Sequence, residues 1–338
     1  MSIAKVGSMA GLRSVGLAYL LLSASGSSER AAERVTLVRQ GQHVDISIGG
    51  RPFTTYVFDS AQAKPYLQPL RTADGVVVTR DFPAGNVVPD EHQRDRSLEP
   101  HQRPLYFAHG DINGFNFWAE EAFARFYGPQ ALPYGRTVFR RLMMPGGADA
   151  GILRAEFALE GAGAGAIGAE TQEFVFSGDA STRTIDCAFT LTADHGPLKI
   201  GDTKEGTFAI RVAPELTAPA GQMINSRGGH GEPEIWGKQA EWVDYDGTIR
   251  GKAVGIAILD SPRNFRHPTY WHARAYGLFS VNPFGLRAFT GNEGNDGSYT
   301  IPLESSLTLR YRVVIHAGDV EQARIADAYR RYASALRQ

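Results

Sequence analysis

The chain has 338 residues, enough for one large domain or two ordinary ones, and its 43% hydrophobic and 21% charged content excludes a disordered protein. Lysine and arginine total 35 against 36 aspartate and glutamate, so no basic surface predicts binding to nucleic acid. The single cysteine, Cys187, excludes an internal disulfide framework and a zinc site built from several thiolates, and its strand-like surroundings predict a small buried side chain.

The composition of residues 1–34 predicts that they form a separate N-terminal segment, either a signal or a disordered stretch. Lys5 and Arg13 precede an apolar run from about Val15 to Leu22, and small residues follow, which is the order of a secretory signal. We therefore expect a secreted or periplasmic protein; the alternative is a cytoplasmic protein with a non-native upstream extension. No other stretch approaches the roughly 20 apolar residues of a membrane span, so no transmembrane segment is predicted.

From residue 35 onward the chain reads as strands joined by turns. Val44, Ile46 and Ile48 alternate with polar residues, and similar alternation recurs in "GKAVGIAILD" and "SLTLRYRVVIHAG". "GVVVTRDF" and "ILRAEFALEG" are further candidate strands, the second followed by the hairpin tip "GAGAGAIG". One buried face per strand is typical of packed antiparallel sheets. The sequence predicts a mainly β protein: one large antiparallel two-sheet β-sandwich over residues 35–338.

One helix is predicted at the C-terminal end of the chain. Asp319 can cap "VEQARIADAYRRYASAL", with Gln322 as its reciprocal partner three residues later. Val320, Ile325 and Tyr332 fall near one helical face, so this face should pack on the sandwich.

Four segments are richer in polar groups than a plain sandwich requires. The first, "SLEPHQRPLYFAHGDINGFNFW", holds His101, Arg103, His109 and Asp111, which share one face if a strand runs unbroken through them. The alternative is a solvent-facing polar side of an ordinary strand.

The second segment, "KIGDTKEGTFAIRV", places Lys204 beside Glu205, where a lysine can tune a carboxyl pKa for acid–base work, although charged hairpin turns are common. The third segment, around Trp236 and Lys238, suits a loop that stacks on a sugar ring, or equally a loop pinned to the core by its tryptophans.

The fourth segment, "NFRHPTYWHARAYGLFSVNPFG", is the densest mixture of polar and aromatic residues in the chain. Its candidate site residues are His267, Tyr270, Trp271, His272, Arg274 and Asn282. A lone histidine is more often a core or surface residue, but this interleaving favours a functional role.

Metal and serine-hydrolase sites have weaker support. There is no H-E-x-x-H spacing, so a divalent metal would need ligands from separate segments, for example His101, His109 and His272. There is also no G-x-S-x-G nucleophile elbow. The sequence is compatible with a divalent metal and does not require one.

Several motifs together resemble a bacterial family called PmoA-like, a domain of unknown function. They include "AKPYLQPLRT", "GDTKEGTFAIRVA", "WGKQAEWVDYDGT" and "LTLRYRVVIHAGD", in the family's order. The resemblance implies a β-sandwich associated with carbohydrate chemistry. It does not imply a membrane copper enzyme, because the several membrane spans are missing. The family pattern His-Pro-His-His-Arg is here Glu99, Pro100, His101, Gln102 and Arg103, a departure that weakens a metal role for this stretch.

These observations predict an enzyme that cleaves a glycosidic bond, in an ordinary or oxidised (keto) sugar, by acid–base hydrolysis or elimination. The catalytic candidates are His101, His109, Glu205 and His272. The substrate-binding candidates are Arg103, Asp111, Lys204, Trp236, Lys238, His267, Tyr270, Trp271, Arg274 and Asn282. Two alternatives are a non-catalytic sugar-binding or accessory sandwich and a tailoring enzyme of a biosynthetic pathway. The expected partner is a small-molecule or oligosaccharide substrate.

Overall fold

The computed structural model describes residues 31–82, 99–124 and 132–335. In these ranges the strands, in chain order, are β1 (Val35–Gln40), β2 (His43–Ile48), β3 (Arg51–Val57), β4 (Tyr66–Gln68), β5 (Leu105–His109), β6 (Gly135–Met143), β7 (Ile152–Gly161), β8 (Gly165–Gly178), β9 (Thr182–Thr192), β10 (Leu198–Ile200), β11 (Gly206–Arg211), β12 (Gln222–Asn225), β13 (Trp242–Ile249), β14 (Lys252–Asp260), β15 (Tyr270–Ala273), β16 (Leu278–Asn282), β17 (Tyr299–Ile301) and β18 (Ser306–Ala317). The α-helices are α1 (Gly231–Ile235), α2 (Leu286–Thr290) and α3 (Ile325–Ala335).

The strands form two large sheets and one small pair. The first sheet has the order β1-β2-β3-β4-β5-β11-β16-β15, and the second has the order β12-β13-β14-β18-β9-β8-β7-β6. Neighbouring strands within both are antiparallel, and β10 pairs with β17 separately. The predicted mainly β fold with two antiparallel sheets is confirmed.

Aromatic side chains from both sheets meet between them. The ring of Phe107 on β5 stacks on Phe189 of β9 with centroids 4.4 Å apart, and Phe208 on β11 stacks on Tyr311 of β18 at 5.0 Å. Offset stacking adds to the free energy gained by burying these rings. Cys187 on β9 lies in the same core, and burial raises the pKa of its thiol.

A second, smaller cluster covers the outer face of the first sheet, meaning the face turned away from the second sheet. Tyr106, Ala108, Trp118, Ala209 and Leu278 contribute to it. Their strand neighbours Leu105, Phe107, Phe208 and Phe279 instead belong to the core between the sheets. Because side chains alternate along a strand, β5, β11 and β16 each serve both faces.

Two predicted strands have different outcomes. "ILRAEFALEG" is β7, and it pairs with β8 across the glycine-rich turn. "GVVVTRDF" forms only isolated bridges, at Val77 and Thr79. Its backbone hydrogen bonds go to four residues, Leu70, Thr72, Arg211 and Ala213, so no continuous ladder forms.

The predicted C-terminal helix is present, but it begins at Ile325 instead of Val320. The Asp319 carboxylate accepts from the backbone N–H of Gln322 at 2.8 Å, and the Gln322 side chain accepts from the Asp319 N–H at 3.3 Å. These reciprocal bonds close a turn that precedes the helix. Arg324 lies between the turn and the helix, and its φ of +54° is not a helical value. Ile325 and Tyr332 then pack in a cluster on the outer face of the second sheet.

No helix in the described ranges is long and apolar enough to cross a membrane. The predicted export signal falls within residues 1–30, which lie outside the described residues. Both that signal and the division into residues 1–34 and 35–338 stay predictions.

Candidate functional site

A cavity of about 290 Å³ lies at the outer face of the first sheet. One part of its wall consists of residues next to β5, namely Glu99, His101, Gln102, Asn116, Trp118 and Ala119. The other part comes from the ends of β11 and β15, namely Lys204, Glu205, His272, Arg274 and Tyr276. Three of the four polar segments predicted from sequence therefore meet in one cavity.

His272 carries the clearest acid–base geometry. Its Nδ1 lies 2.9 Å from the Lys204 carbonyl oxygen. A carbonyl only accepts hydrogen bonds, so Nδ1 bears the proton and Nε2 keeps a lone pair. Burial lowers the pKa of this imidazole to about 4, although the charge of Glu205 opposes the shift. The ring is thus neutral at physiological pH, and among the described residues nothing is hydrogen bonded to Nε2.

Glu205 and Lys204 form an ion pair at the edge of the same cavity, with side chains 33% and 42% exposed. Burial by itself would raise the pKa of Glu205, but His272 and Lys204 outweigh it and lower the pKa. Glu205 is therefore a carboxylate at neutral pH.

His109 contacts the turn before β11 from the core side of the first sheet. His109 is fully buried, its Nε2 is 2.8 Å from the Gly201 carbonyl oxygen, and a Cβ added at Gly206 would lie 2.2 Å from its Nδ1. Only glycine fits beside this ring. On β5 the position of His109 follows the parity of Leu105 and Phe107, so its side chain turns away from the outer face. Burial lowers the pKa of His109 to about 4.

Arg274 and Tyr276 form the opposite wall. Arg274 Nε is 2.8 Å from Glu232 Oε1, and the other Glu232 oxygen accepts from the Ala275 N–H at 2.6 Å. The Tyr276 ring lies 4.5 Å from the guanidinium of Arg211 and 5.5 Å from that of Arg274. These cation–π contacts fix the ring against the cavity.

His101 is buried beside Glu99, with Nδ1 3.5 Å from the carboxylate. Burial, reinforced by the nearby cations Lys64 and Arg103, lowers the pKa of His101 well below its ordinary value. A second neutral imidazole therefore lies in the cavity wall.

Beneath this wall lies a buried ionic cluster that the sequence reading did not assign. Lys64 Nζ is 2.9 Å from Glu120 Oε1, while Arg103 pairs with the other oxygen of Glu120. Burial lowers the pKa of Lys64 to about 8, with Glu120 opposing the shift. Lys64 also donates to the Trp118 carbonyl, so the cluster fixes the segment that carries Trp118 into the wall.

The cavity brings together five predicted site residues, namely His101, Lys204, Glu205, His272 and Arg274. Its lining does not include the others. Arg103 lies 3.5 Å over the Phe82 ring beneath the wall. The Asp111 carboxylate accepts from the Gly114 N–H, and Asn282 donates to the Thr203 carbonyl.

The remaining predicted site residues are also absent from the lining of the cavity. Trp271 is fully buried in the core and donates to the Ala240 carbonyl, and Trp236 packs edge-on against Phe289. Tyr270 also stacks on Phe289, at 5.7 Å. His267 is 2.7 Å from Asp260 and 3.2 Å from Tyr329, and Lys238 is exposed.

Asn116, Trp118 and Tyr276 line the cavity although the sequence reading gave them no role. Asn116 and Trp118 belong to the same aromatic-rich run as His101, which was a usable signal. Tyr276 follows Arg274 by two residues, but only the folded chain brings it near Gln102, whose Nε2 is 3.4 Å from its hydroxyl.

The suggested metal ligands do not form a set. His109 is outside the cavity that contains His101 and His272, and within the described ranges no three His, Cys, Asp or Glu side chains are placed to hold a metal ion.

Comparison with solved structures finds only distant likeness. A GH36 α-galactosidase from Geobacillus stearothermophilus has a TM-score of 0.38 and 12% identity over 84% of this chain and 40% of its own. An α-galactosidase from Lactobacillus brevis has a TM-score of 0.37 and 8% identity, over 87% and 40%. A galactose mutarotase-like protein from Clostridium acetobutylicum has a TM-score of 0.35 and 9% identity, over 85% and 99%. This chain thus spans about 40% of the length of the galactosidases, and at these scores the likeness assigns it no activity.

No curated protein sequence matches the chain. The family model that matches residues 43–330 is described as a family of unknown function, DUF6807. The resemblance to a PmoA-like family is therefore wrong, because the match covers most of the chain and nothing points to the other family. The chain belongs to the DUF6807 family.

Proposed function

We propose that the cavity is the active site of a carbohydrate-active enzyme that cleaves a glycosidic bond by elimination next to a carbonyl, as in a 3-keto glycoside. The observation that carries the proposal is His272, a neutral imidazole with a fixed Nδ1 proton and an Nε2 lone pair beside cationic side chains. The volume of about 290 Å³ is at the lower end for ligand sites, which favours a small ligand over a long oligosaccharide.

Elimination begins with removal of the proton on the carbon next to the carbonyl. His272 Nε2 takes this proton, and the electron pair moves to the carbonyl oxygen. Lys204 and Arg274 line the cavity and supply positive charge for the resulting enolate. The enolate then re-forms the carbonyl, a C=C bond forms, and the C–O bond at the next carbon breaks. The departing oxygen takes its proton from the imidazolium, so no oxidant or reductant is needed.

The pKa of Glu205 favours elimination over hydrolysis. Hydrolysis by two carboxyl groups needs one that stays protonated through a raised pKa. The pKa of Glu205 is lowered instead, so this residue is a poor proton donor at neutral pH. In the elimination scheme its negative charge stabilises the imidazolium that forms on His272.

Mass spectrometry of products distinguishes these reactions. We expect the purified protein to convert a 3-keto glucoside into an unsaturated keto sugar and the free aglycone, and to leave the parent glucoside intact. His272→Gln should lower the rate by roughly 100-fold or more, because the base is lost. The matched control is His195→Gln, an exposed histidine bonded to Asp194, which should leave the rate unchanged.

Three other outcomes are informative. A product that has gained water would indicate hydrolysis. No cleavage of either glucoside, with or without divalent metals, contradicts the proposal. Sugar binding by calorimetry that survives His272→Ala, without turnover, would favour the non-catalytic binding protein.

The signal-like order within residues 1–34 supports a separate proposal, export from the cytoplasm. Fractionation of expressing cells tests it: we expect a shortened chain in the periplasm or medium, and a full-length chain in the cytoplasm would contradict it.

A further inference from the structure

Two polar atoms in the cavity wall have no hydrogen-bond partner among the residues that the structure describes. They are the Gln102 Oε1 and the Trp118 Nε1, on residues that are each 2% exposed. Both residues line the cavity. Buried donors and acceptors are normally bonded, and an unbonded one calls for an explanation such as a ligand.

Contacts with neighbouring residues hold both segments in place. The backbone N–H of Trp118 donates to Asn116 Oδ1 at 3.0 Å, and the Trp118 ring packs on Tyr106 with centroids 5.0 Å apart. The backbone carbonyl of Gln102 accepts from Arg80 at 2.6 Å. The Gln102 amide nitrogen donates to the Tyr276 hydroxyl, which leaves its oxygen as the end without a partner.

We infer that Gln102 Oε1 and Trp118 Nε1 together recognise a neutral, hydroxyl-bearing part of the substrate. The inference rests on the proposed function, since it specifies the substrate of that same cavity. A sugar hydroxyl donates to the Gln102 oxygen, and the same or a neighbouring hydroxyl oxygen accepts from the Trp118 N–H. A carboxylate or phosphate only accepts, so it would face the Gln102 oxygen without a proton. The site therefore prefers neutral sugars over uronic acids.

Two variants separate recognition from structure. Gln102→Met and Trp118→Phe each remove the unbonded atom; Gln102→Met also removes the 3.4 Å contact with the Tyr276 hydroxyl, and Trp118→Phe removes one ring of a buried side chain. Each change therefore lowers the melting temperature modestly, whether or not the atom binds substrate. If the atoms bind substrate, each change also weakens binding, by roughly 5- to 20-fold for one lost hydrogen bond.

The matched control is Tyr311→Phe. The Tyr311 hydroxyl is also buried without a partner, but Tyr311 lies on β18 in the second sheet, away from the cavity lining. We expect this change to keep or raise the melting temperature and to leave sugar binding unchanged.

The experiment measures binding by calorimetry to methyl β-glucopyranoside, its 3-keto derivative and the corresponding methyl glucuronide. We expect a neutral sugar to bind more tightly than the glucuronide, and both cavity variants to bind it more weakly while their melting curves show that they are folded at the assay temperature. Unchanged affinity in both variants overturns this inference while the proposed function stands. No binding of any probe to the unmodified protein overturns both proposals.

Discussion

The state of a single imidazole determines the chemistry proposed for the cavity. Nδ1 of His272 is held by a backbone carbonyl, and burial keeps the ring neutral over most of the accessible pH range. The same hydrogen bond orients the ring, so geometry and protonation state have one origin. Lys204 supplies that carbonyl while its ammonium pairs with Glu205.

The pH dependence of turnover should follow His272. The unprotonated ring is the active form, and its pKa is about 4, so kcat/KM should be flat from about pH 5.5 to 7.5 and fall about tenfold per pH unit below 4. A pH–rate profile with the 3-keto glucoside checks this. A profile that falls already through pH 6.5 would indicate an ordinary histidine and contradict the assignment.

At the scale of elements, one ion pair joins two strands that are not neighbours. His316 on β18 lies 2.8 Å from Asp244 on β13, and β14 runs between them. The bridge passes over Gly255 of β14, where an added Cβ would lie 2.4 Å from the His316 ring. Both side chains are at most 3% exposed. Burial by itself would lower the pKa of His316, but Asp244 outweighs this effect and raises it.

Asp244→Ala should therefore destabilise the protein strongly. It leaves a buried histidine without its partner, and we expect the free energy of unfolding to fall by about 3–5 kcal/mol. The matched control is Asp186→Ala, which breaks a half-exposed pair with Arg312 and should cost about 1 kcal/mol or less. Urea denaturation of both variants checks the difference; equal losses would contradict the role given to burial.

The strands show what the sequence could and could not predict. Period-two alternation identified β2 and β18, which bury mainly one face, and also β14, although both faces of that strand are buried from Val254 to Asp260. His272 and Glu205 were found because unusual polar residues crowd their segments. The parity argument for His101 and His109 did not carry over, because β5 spans only Leu105–His109 and His101 precedes it.

Other features of the site depend on tertiary contacts. Trp271 lies in the core although its neighbour His272 lines the cavity, and a four-residue strand is too short to show its alternation in sequence. Gln102 and Tyr276 are 174 positions apart, and only the pairing of β5, β11, β16 and β15 brings their segments together.

At the scale of the whole molecule, a polar chain crosses the space between the sheets. The Tyr56 hydroxyl on β3 donates to the Gln172 side chain on β8 at 2.8 Å, and Gln172 donates to Glu170 at 2.6 Å. Glu170 is 2% exposed, and burial raises its pKa from the ordinary 4.5 to about 7.

The contribution of Glu170 to the free energy of unfolding should therefore fall as pH rises from about 4.5 to 7, while the buried histidines His101, His109 and His272, whose pKa values are lowered, act in the opposite direction. In that window the folded state holds a proton on Glu170 that the unfolded state has lost, so raising the pH favours unfolding, by about 3 kcal/mol in total. Above pH 7 this contribution is constant. Glu170→Gln should remove the loss and make the variant more stable than the parent at pH 8, as measured by urea midpoints at pH 5 and 8. Glu173→Gln on the same strand is the control. The difference between its urea midpoints at pH 5 and pH 8 should equal that of the parent.

The position of the cavity on the outer face of the first sheet has a consequence for how such a protein can diverge. At β15 and the residue after it, His272 and Arg274 line the cavity, whereas Trp271 and Ala273 belong to the interior. The residues that shape the cavity wall and the residues that stabilise the interior are therefore different residues of one short segment. Substitutions at every second position can change the cavity wall while the interior packing stays intact.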